Sequence, residues 1–247
     1  MIRKKCRLER SALRGVRFTQ AHSRGDQRVA FRMVRDAYVA RGWLRPHDDE
    51  WRPSAVDDSN TTVLLLWRDD EPIGTVSVVQ DSRYGLPIER TFPDHVGALR
   101  RPGRRLAEFT SLALAPAYRR SGIGVCLAIE AWRYSRMQLQ ITDLLSVVDA
   151  HIADYYMALF KFQPITPVRC YAGFERHERA LEEDPVIGLH QDVVAAVTWA
   201  EANRPTCKPH QVDINTLALT AFPARFERFD SATRSRRATT MTEALAW

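Results

Sequence analysis

Leu112-Ala-Leu-Ala-Pro-Ala-Tyr-Arg-Arg-Ser-Gly-Ile-Gly-Val-Cys-Leu127 is the stretch on which the fold turns. It opens as a short apolar strand, passes through a tight basic turn, and enters an apolar helix through Arg119-x-x-Gly122-x-Gly124. The two glycines let the backbone turn closely enough for several N–H groups to point into one concavity. The helix adds its own unsatisfied N–H groups and the positive end of its dipole. Such a place suits a phosphate, and here a pyrophosphate or phosphopantetheine. Arg119, Arg120, Gly122, Ile123 and Gly124 are the residues expected around that anion.

Upstream, Leu106–Ala115 extends the strand, and Glu108 is a lone carboxylate in its apolar run. Burying such a group is expensive unless it is partnered, and desolvation raises its proton affinity towards that of a general base. A solvent-facing Glu108, or one paired with Arg104 or Arg105, is the alternative. Further upstream lies a hairpin: strand Thr61–Trp67, turn Arg68–Pro72, strand Ile73–Val79. Residues 26–41 carry apolar positions at helical spacing, with Asp26 available as a cap and Gly42 as a stop. The segment 43–60, which carries Trp43 and Trp51, reads as a loop, and residues 80–105 read as irregular. Downstream come the helix 122–138, a buried strand Asp143–Val148, a helix Tyr155–Phe162, strands Cys170–Phe174 and Val186–Leu189, and a closing helix 190–202. This order predicts an α/β (α+β) domain with a mixed central sheet flanked by helices.

The chain has 247 residues, 45% of them apolar and 27% charged, an ordinary globular composition. No apolar run approaches the length of a membrane span, and no apolar stretch follows the basic start as a secretory signal requires. Residues 1–35 carry eleven Arg/Lys against Glu9 and Asp26, so the basic surplus lies in the N-terminal arm. The arm lacks a reader motif, so no specific nucleic-acid partner is expected. Residues 1–25 are expected to be mobile, 26–200 to form the domain, and 201–247 to be a C-terminal extension of low structure content. Cys6, Cys126, Cys170 and Cys207 are scattered and the seven histidines lack ligand spacing, so a cytoplasmic protein without a metal is expected.

The element order together with Arg119-Arg-Ser-Gly-Ile-Gly124 resembles the GNAT acyltransferase superfamily. Val147-Val-Asp-Ala-His151, followed by Tyr155-Tyr-Met-Ala-Leu-Phe-Lys-Phe162, is similar to that family's strand end, helix and turn, with Lys161 where glycine is usual. Tyr84-Gly-Leu-Pro-Ile-Glu89, Leu99-Arg-Arg-Pro-Gly-Arg104 and Leu106-Ala-Glu108-Phe-Thr-Ser-Leu-Ala-Leu114 resemble the long-chain N-acyl amino acid synthases, relatives of the acyl-homoserine-lactone synthases. The lactone synthases commonly carry an arginine three residues after the matching glutamate; Ser111 stands there in this chain.

The resemblance implies transfer of an acyl group from acyl carrier protein or acyl-CoA to the amine of an amino acid, with no permanently bound cofactor. It implies main-chain contacts to the donor from Leu112, Ala113 and Leu114, and an acceptor pocket lined by Trp43, Trp51 and the 43–60 loop. Glu108 is the implied base and Tyr156, in preference to Tyr155, the acid. Arg100, Arg101, Arg104, Arg105, Arg133 and Arg136 are candidates for docking an acidic carrier protein. A short-chain acetyl-CoA N-acetyltransferase and a non-catalytic CoA- or carrier-binding regulator are the alternatives, with a lactone synthase a weaker third.

Overall fold

Ser23 starts the first long helix. Its Oγ accepts the N–H of Asp26 at 3.0 Å, so the cap expected of Asp26 belongs to the serine three residues earlier. Helix α1 (Arg24–Val39) buries Ala30, Phe31 and Val34, and Gly42 follows it at a φ of 75°. In the computed structural model, residues 7–9, 14–46, 53, 59–119, 121–170, 185–202 and 211–213 are described.

Strands β1 (Arg7–Glu9) and β9 (Gln211–Asp213) pair with each other. The main sheet has the order β2 (Val16–Gln20), β3 (Thr61–Arg68), β4 (Glu71–Gln80), β5 (Leu106–Leu114), β6 (Asp143–Asp149), β8 (Pro185–Asp192), β7 (Gln163–Cys170). Only β5 and β6 run parallel. Between the strands lie α2 (Pro93–Leu99), α3 (Ile123–Met137), α4 (Ala150–Phe160) and α5 (Val193–Ala202).

Val16–Gln20, read above as part of a mobile arm, is the edge strand beside β3, and Val16 is fully buried. Its five residues are too short for alternation to stand out, and pairing rather than composition makes it a strand. Residues 80–105 hold a 3-10 turn (Pro87–Arg90) and α2, both seated on the sheet. The strand β7 spans Gln163–Cys170 and shares Cys170 with the strand expected at Cys170–Phe174, of which residues 171–174 lie outside the described residues. It carries Pro164 and Pro167, which a sheet tolerates at an edge, and β7 is an edge.

The sheet separates two apolar layers. Leu64, Leu66, Val76, Val78, Ala107 and Leu144 pack under α3 and α4. Val63 and Leu65 pack under α1, and Val79, Leu106 and Leu145 under the 3-10 turn and α2. At the starts of β5 and β6, fully buried Asp143 pairs with Arg104 and with His190 Nε2 at 2.9 Å. Burial alone would raise its proton affinity, but bonds from His190, Arg104 and Thr142 hold the carboxyl below its usual range.

Candidate active site

The parallel ladder of β5 and β6 stops at Phe109↔Ser146, where Ser146 Oγ donates to the Phe109 carbonyl at 3.0 Å. On the other side of β5 the register with β4 slips between Thr75↔Ala113 and Ser77↔Thr110. Ser111, at a φ of 54°, is the bulged residue. The bulge turns the rest of β5 away from β6. A cavity of about 370 Å³ opens beyond the last rungs, with apolar walls that include Leu112, Leu114, Val148, Ile152 and Phe162. Leu112, Ala113 and Leu114 line it, past the point where β5 has a partner on that side.

After β5 comes the loop expected to hold an anion. Gly122 caps α3 at a φ of 85°, a left-handed conformation that disfavours a side chain. Ser121 Oγ accepts the Ile123 N–H at 3.3 Å and donates to the Tyr118 carbonyl at 2.7 Å. Arg119 Nε donates to the Leu114 carbonyl at 3.3 Å, tying the turn to the strand, and Arg119 lines the cavity. Gly124 does not turn the chain, contrary to the reading of both glycines above. It is helical, and a Cβ there would lie 2.8 Å from Leu114 Cδ1. Gly74 presses on the other methyl: its Cβ would lie 2.8 Å from Leu114 Cδ2. Small residues on both sides let Leu114 wedge between β4 and the first turn of α3. Arg120 lies outside the described residues.

Glu108 reaches the same cavity and is 1% exposed. Its Oε2 accepts the Ile88 N–H at 2.7 Å. Desolvation and the neighbouring Glu89 charge outweigh that bond and the pull of Arg90, pushing the carboxyl up to about 8. Pairing with Arg104 or Arg105 is ruled out: Arg104 holds Asp143 and Asp192, and Arg105 Nη1 donates to Gln140 Oε1 at 2.7 Å.

Tyr156 lines the cavity from α4, its ring 6.1 Å from Tyr155 and 6.4 Å from Phe162. Burial raises the proton affinity of its phenolate, so at neutral pH it is a hydrogen donor. From α1 comes Tyr38, bonded to the Ser111 side chain and edge-on to Trp43 with ring centres 5.3 Å apart. Burial, then the charge of Glu108, pushes this phenol up to about 12 against the Ser111 bond and Arg41. Arg41 bridges the rim to Asp149 at 3.2 Å, and Asp149 also caps α4 by accepting the His151 N–H at 2.9 Å. A buried acid, phenolic donors and a strand edge beside an anion loop can bind a phosphorylated thioester and move protons at its carbonyl.

A family model of the N-acyl amino acid synthase FeeM matches residues 29–181, well over half of the chain. The chain belongs to the FeeM N-acyl amino acid synthase family. It is therefore an acyltransferase, acting on amine nitrogen, with the fold of the GNAT enzymes. The structure of FeeM, an N-acyl amino acid synthase from uncultured soil microbes, superposes with a TM-score of 0.62 at 19% identity, covering 74% of this chain and 93% of that one. Escherichia coli ElaA matches with a TM-score of 0.50 at 14% identity over 71% of this chain and 99% of its own. A putative N-acetyltransferase from Lactobacillus plantarum gives 0.50 at 14% over 72% and 99%. No curated protein matches the sequence.

In this FeeM-family chain Glu108, Tyr156, Leu112, Ala113, Leu114 and Arg119 line one cavity, with Gly122, Ile123 and Gly124 forming the helix start beside it. Sequence reasoning did not single out Tyr38, Arg41 or Asp149 for the site. Tyr38 and Arg41 were visible only as positions on an amphipathic helix, and Asp149 only as a residue at a strand end. The Ile88 N–H leaves no sequence signal at all. Of the arginines suggested for carrier docking, Arg100 binds Asp81 and Glu89, Arg104 binds Asp143, and buried Arg133 pairs with Glu130 at 2.7 Å. Trp43 lines the cavity; Trp51 lies outside the described residues.

Proposed function

We propose that this acyltransferase moves a long-chain acyl group from a phosphopantetheine thioester, carried by acyl carrier protein or coenzyme A, to the amine of an amino acid. The observation that carries the reading is the cleft where β5 and β6 part, lined from Arg119, just before the start of α3, to the Glu108 carboxyl. In this reading the donor phosphate lies on the Arg119–Gly124 loop and the N-terminus of α3. The pantetheine amides bond to the open edge of β5 at Leu112–Leu114, and the acyl chain follows the apolar walls. Small-molecule clefts of a few hundred Å³ hold substrates largely through such walls and a few placed polar groups.

Glu108, as carboxylate, takes a proton from the acceptor ammonium. The neutral amine attacks the thioester carbonyl, the C–N bond forms, and the tetrahedral intermediate expels the thiolate as the C–S bond breaks. Tyr156 supplies the proton that the leaving sulfur takes up, and its phenolate recovers a proton from the attacking nitrogen, which becomes the neutral amide, while Glu108 releases its proton to solvent. In this reading the transfer is direct, and Cys126 is no nucleophile: burial and the Glu130 charge push its thiol up to about 12.

The test is incubation with acyl carrier protein and CoA thioesters of two to sixteen carbons and a mixture of amino acids, with mass spectrometry of the products. N-acyl amino acids with long chains support the reading. Transfer of acetyl groups alone, or release of free acid without an acylated amine, overturns it.

A further inference from the structure

Glu108 is buried beneath a turn whose shape is set by a surface arginine. Arg100 follows α2 and donates from Nε and Nη2 to the two Asp81 carboxylate oxygens, each at 2.8 Å. The same guanidinium donates from Nη1 to Glu89 Oε2 at 2.8 Å and from Nη2 to Glu89 Oε1. Glu89 in turn accepts the Leu86 N–H at 2.6 Å, and Gly85, at a φ of 77°, passes so close that a Cβ would lie 2.6 Å from Glu89 Oε1. Residues 85–89 are thus wrapped around one carboxylate, which Arg100 ties to the end of β4. From the middle of that wrap, fully buried Ile88 points its N–H at Glu108.

We propose that Arg100 is a positioning residue for Glu108: by bridging Asp81 and Glu89 it holds the turn that keeps the Ile88 N–H on the Glu108 carboxylate. The proposal rests on the reading of Glu108 as the base. The charged and titratable groups around Glu108 are Glu89 and Arg90 from the turn and Tyr38 from α1, while β4 and β6 present Val79 and Leu145. Removing Arg100 frees the turn and leaves the Asp81 and Glu89 charges uncompensated. Loss of the N–H and the added negative charge both favour protonated Glu108, so the two effects add.

The test is a titration of Glu108 in the substrate-free full chain by carbon NMR of labelled glutamate, with the signal assigned through Glu108→Gln. Arg100→Ala is expected to raise the midpoint by about one pH unit, the size of one charge-assisted hydrogen bond. It is also expected to speed exchange of the Ile88 amide hydrogen. Arg100→Lys, which keeps a cation but not the fork, is expected to fall between. In the transfer assay the acidic limb moves with the midpoint, while KM for the thioester stays within twofold. An unchanged midpoint together with unchanged Ile88 exchange in Arg100→Ala overturns the proposal; if that variant does not fold, the same result in Arg100→Lys does so. Full turnover by Glu108→Gln would instead remove Glu108 as base, and the midpoint would still decide the role of Arg100 in holding it.

Discussion

Two residues of β5 at the candidate site, Glu108 and Ser111, are each held in a condition their sequence neighbours would not impose. Glu108 is ionised only above about pH 8 because burial outweighs its single backbone hydrogen bond. Turnover is therefore expected to rise with pH through about 8. Glu108→Gln, which keeps an oxygen for the Ile88 N–H, is expected to lower kcat by roughly 10²–10⁴, the range of general base catalysis, in pre-steady-state and steady-state assays. Ser111 adopts a φ of 54° in the bulge while its side chain bonds Tyr38. A non-glycine residue there costs about 1–2 kcal/mol. Ser111→Gly is expected to unfold in urea at an equal or higher midpoint, yet to turn over more slowly because Tyr38 loses its anchor. A fall in both stability and rate would make Ser111 merely structural.

At the scale of elements, the contact between β5 and α3 decides how closely the start of α3 approaches the strand. Leu114 is gripped between Gly74 and Gly124, with a methyl group 2.8 Å from where a Cβ would stand on either side. Gly124→Ala is expected to cost about 1–3 kcal/mol, as overpacking does, and to weaken binding of the phosphorylated donor. In the Leu114→Ala background the same change is expected to cost much less, because the clash is gone; a double-mutant cycle in urea measures this coupling. Lys161 shows a similar local tension. It closes α4 at a φ of 59°, where the resembled family uses glycine, and its ammonium lies 4.0 Å above the centre of the Trp199 ring. That cation–π contact offsets part of the left-handed strain.

Across the whole molecule, buried carboxyls of opposite behaviour contribute to the pH dependence of the fold: Asp143 is held down, while Glu108 and Glu130 are raised by burial. Asp143 is held below its ordinary value, so its contribution is present above the unfolded-state pKa near 3.8 and is lost as pH falls through its folded value. Glu108 is raised, so its contribution is full below about 4.5 and is lost as pH rises towards about 8. Thermal unfolding scans from pH 3 to 9 are expected to show a maximum in mildly acidic solution. Glu108→Gln is expected to flatten the decline towards pH 8 and leave the acid limb in place. A decline towards pH 8 that persists in Glu108→Gln would assign it to another group.

The sequence by itself determined the strand–turn–helix at Leu112–Leu127, the β3–β4 hairpin and the oddity of a carboxylate in an apolar strand, because these depend on periodicity, turn chemistry and neighbours within a few residues. The same local logic failed for Val16–Gln20, which is a strand only because β3 pairs with it. It failed also for Gly124, whose size matters because Leu114 packs on it. The tertiary structure alone decided that β5 and β6 part after Phe109, that Glu108 meets an N–H twenty residues away, and that its charge acts on a phenol from α1. Proton affinity in a buried site is the sum of what burial removes and what distant segments supply, and neither quantity is written next to the residue in the chain.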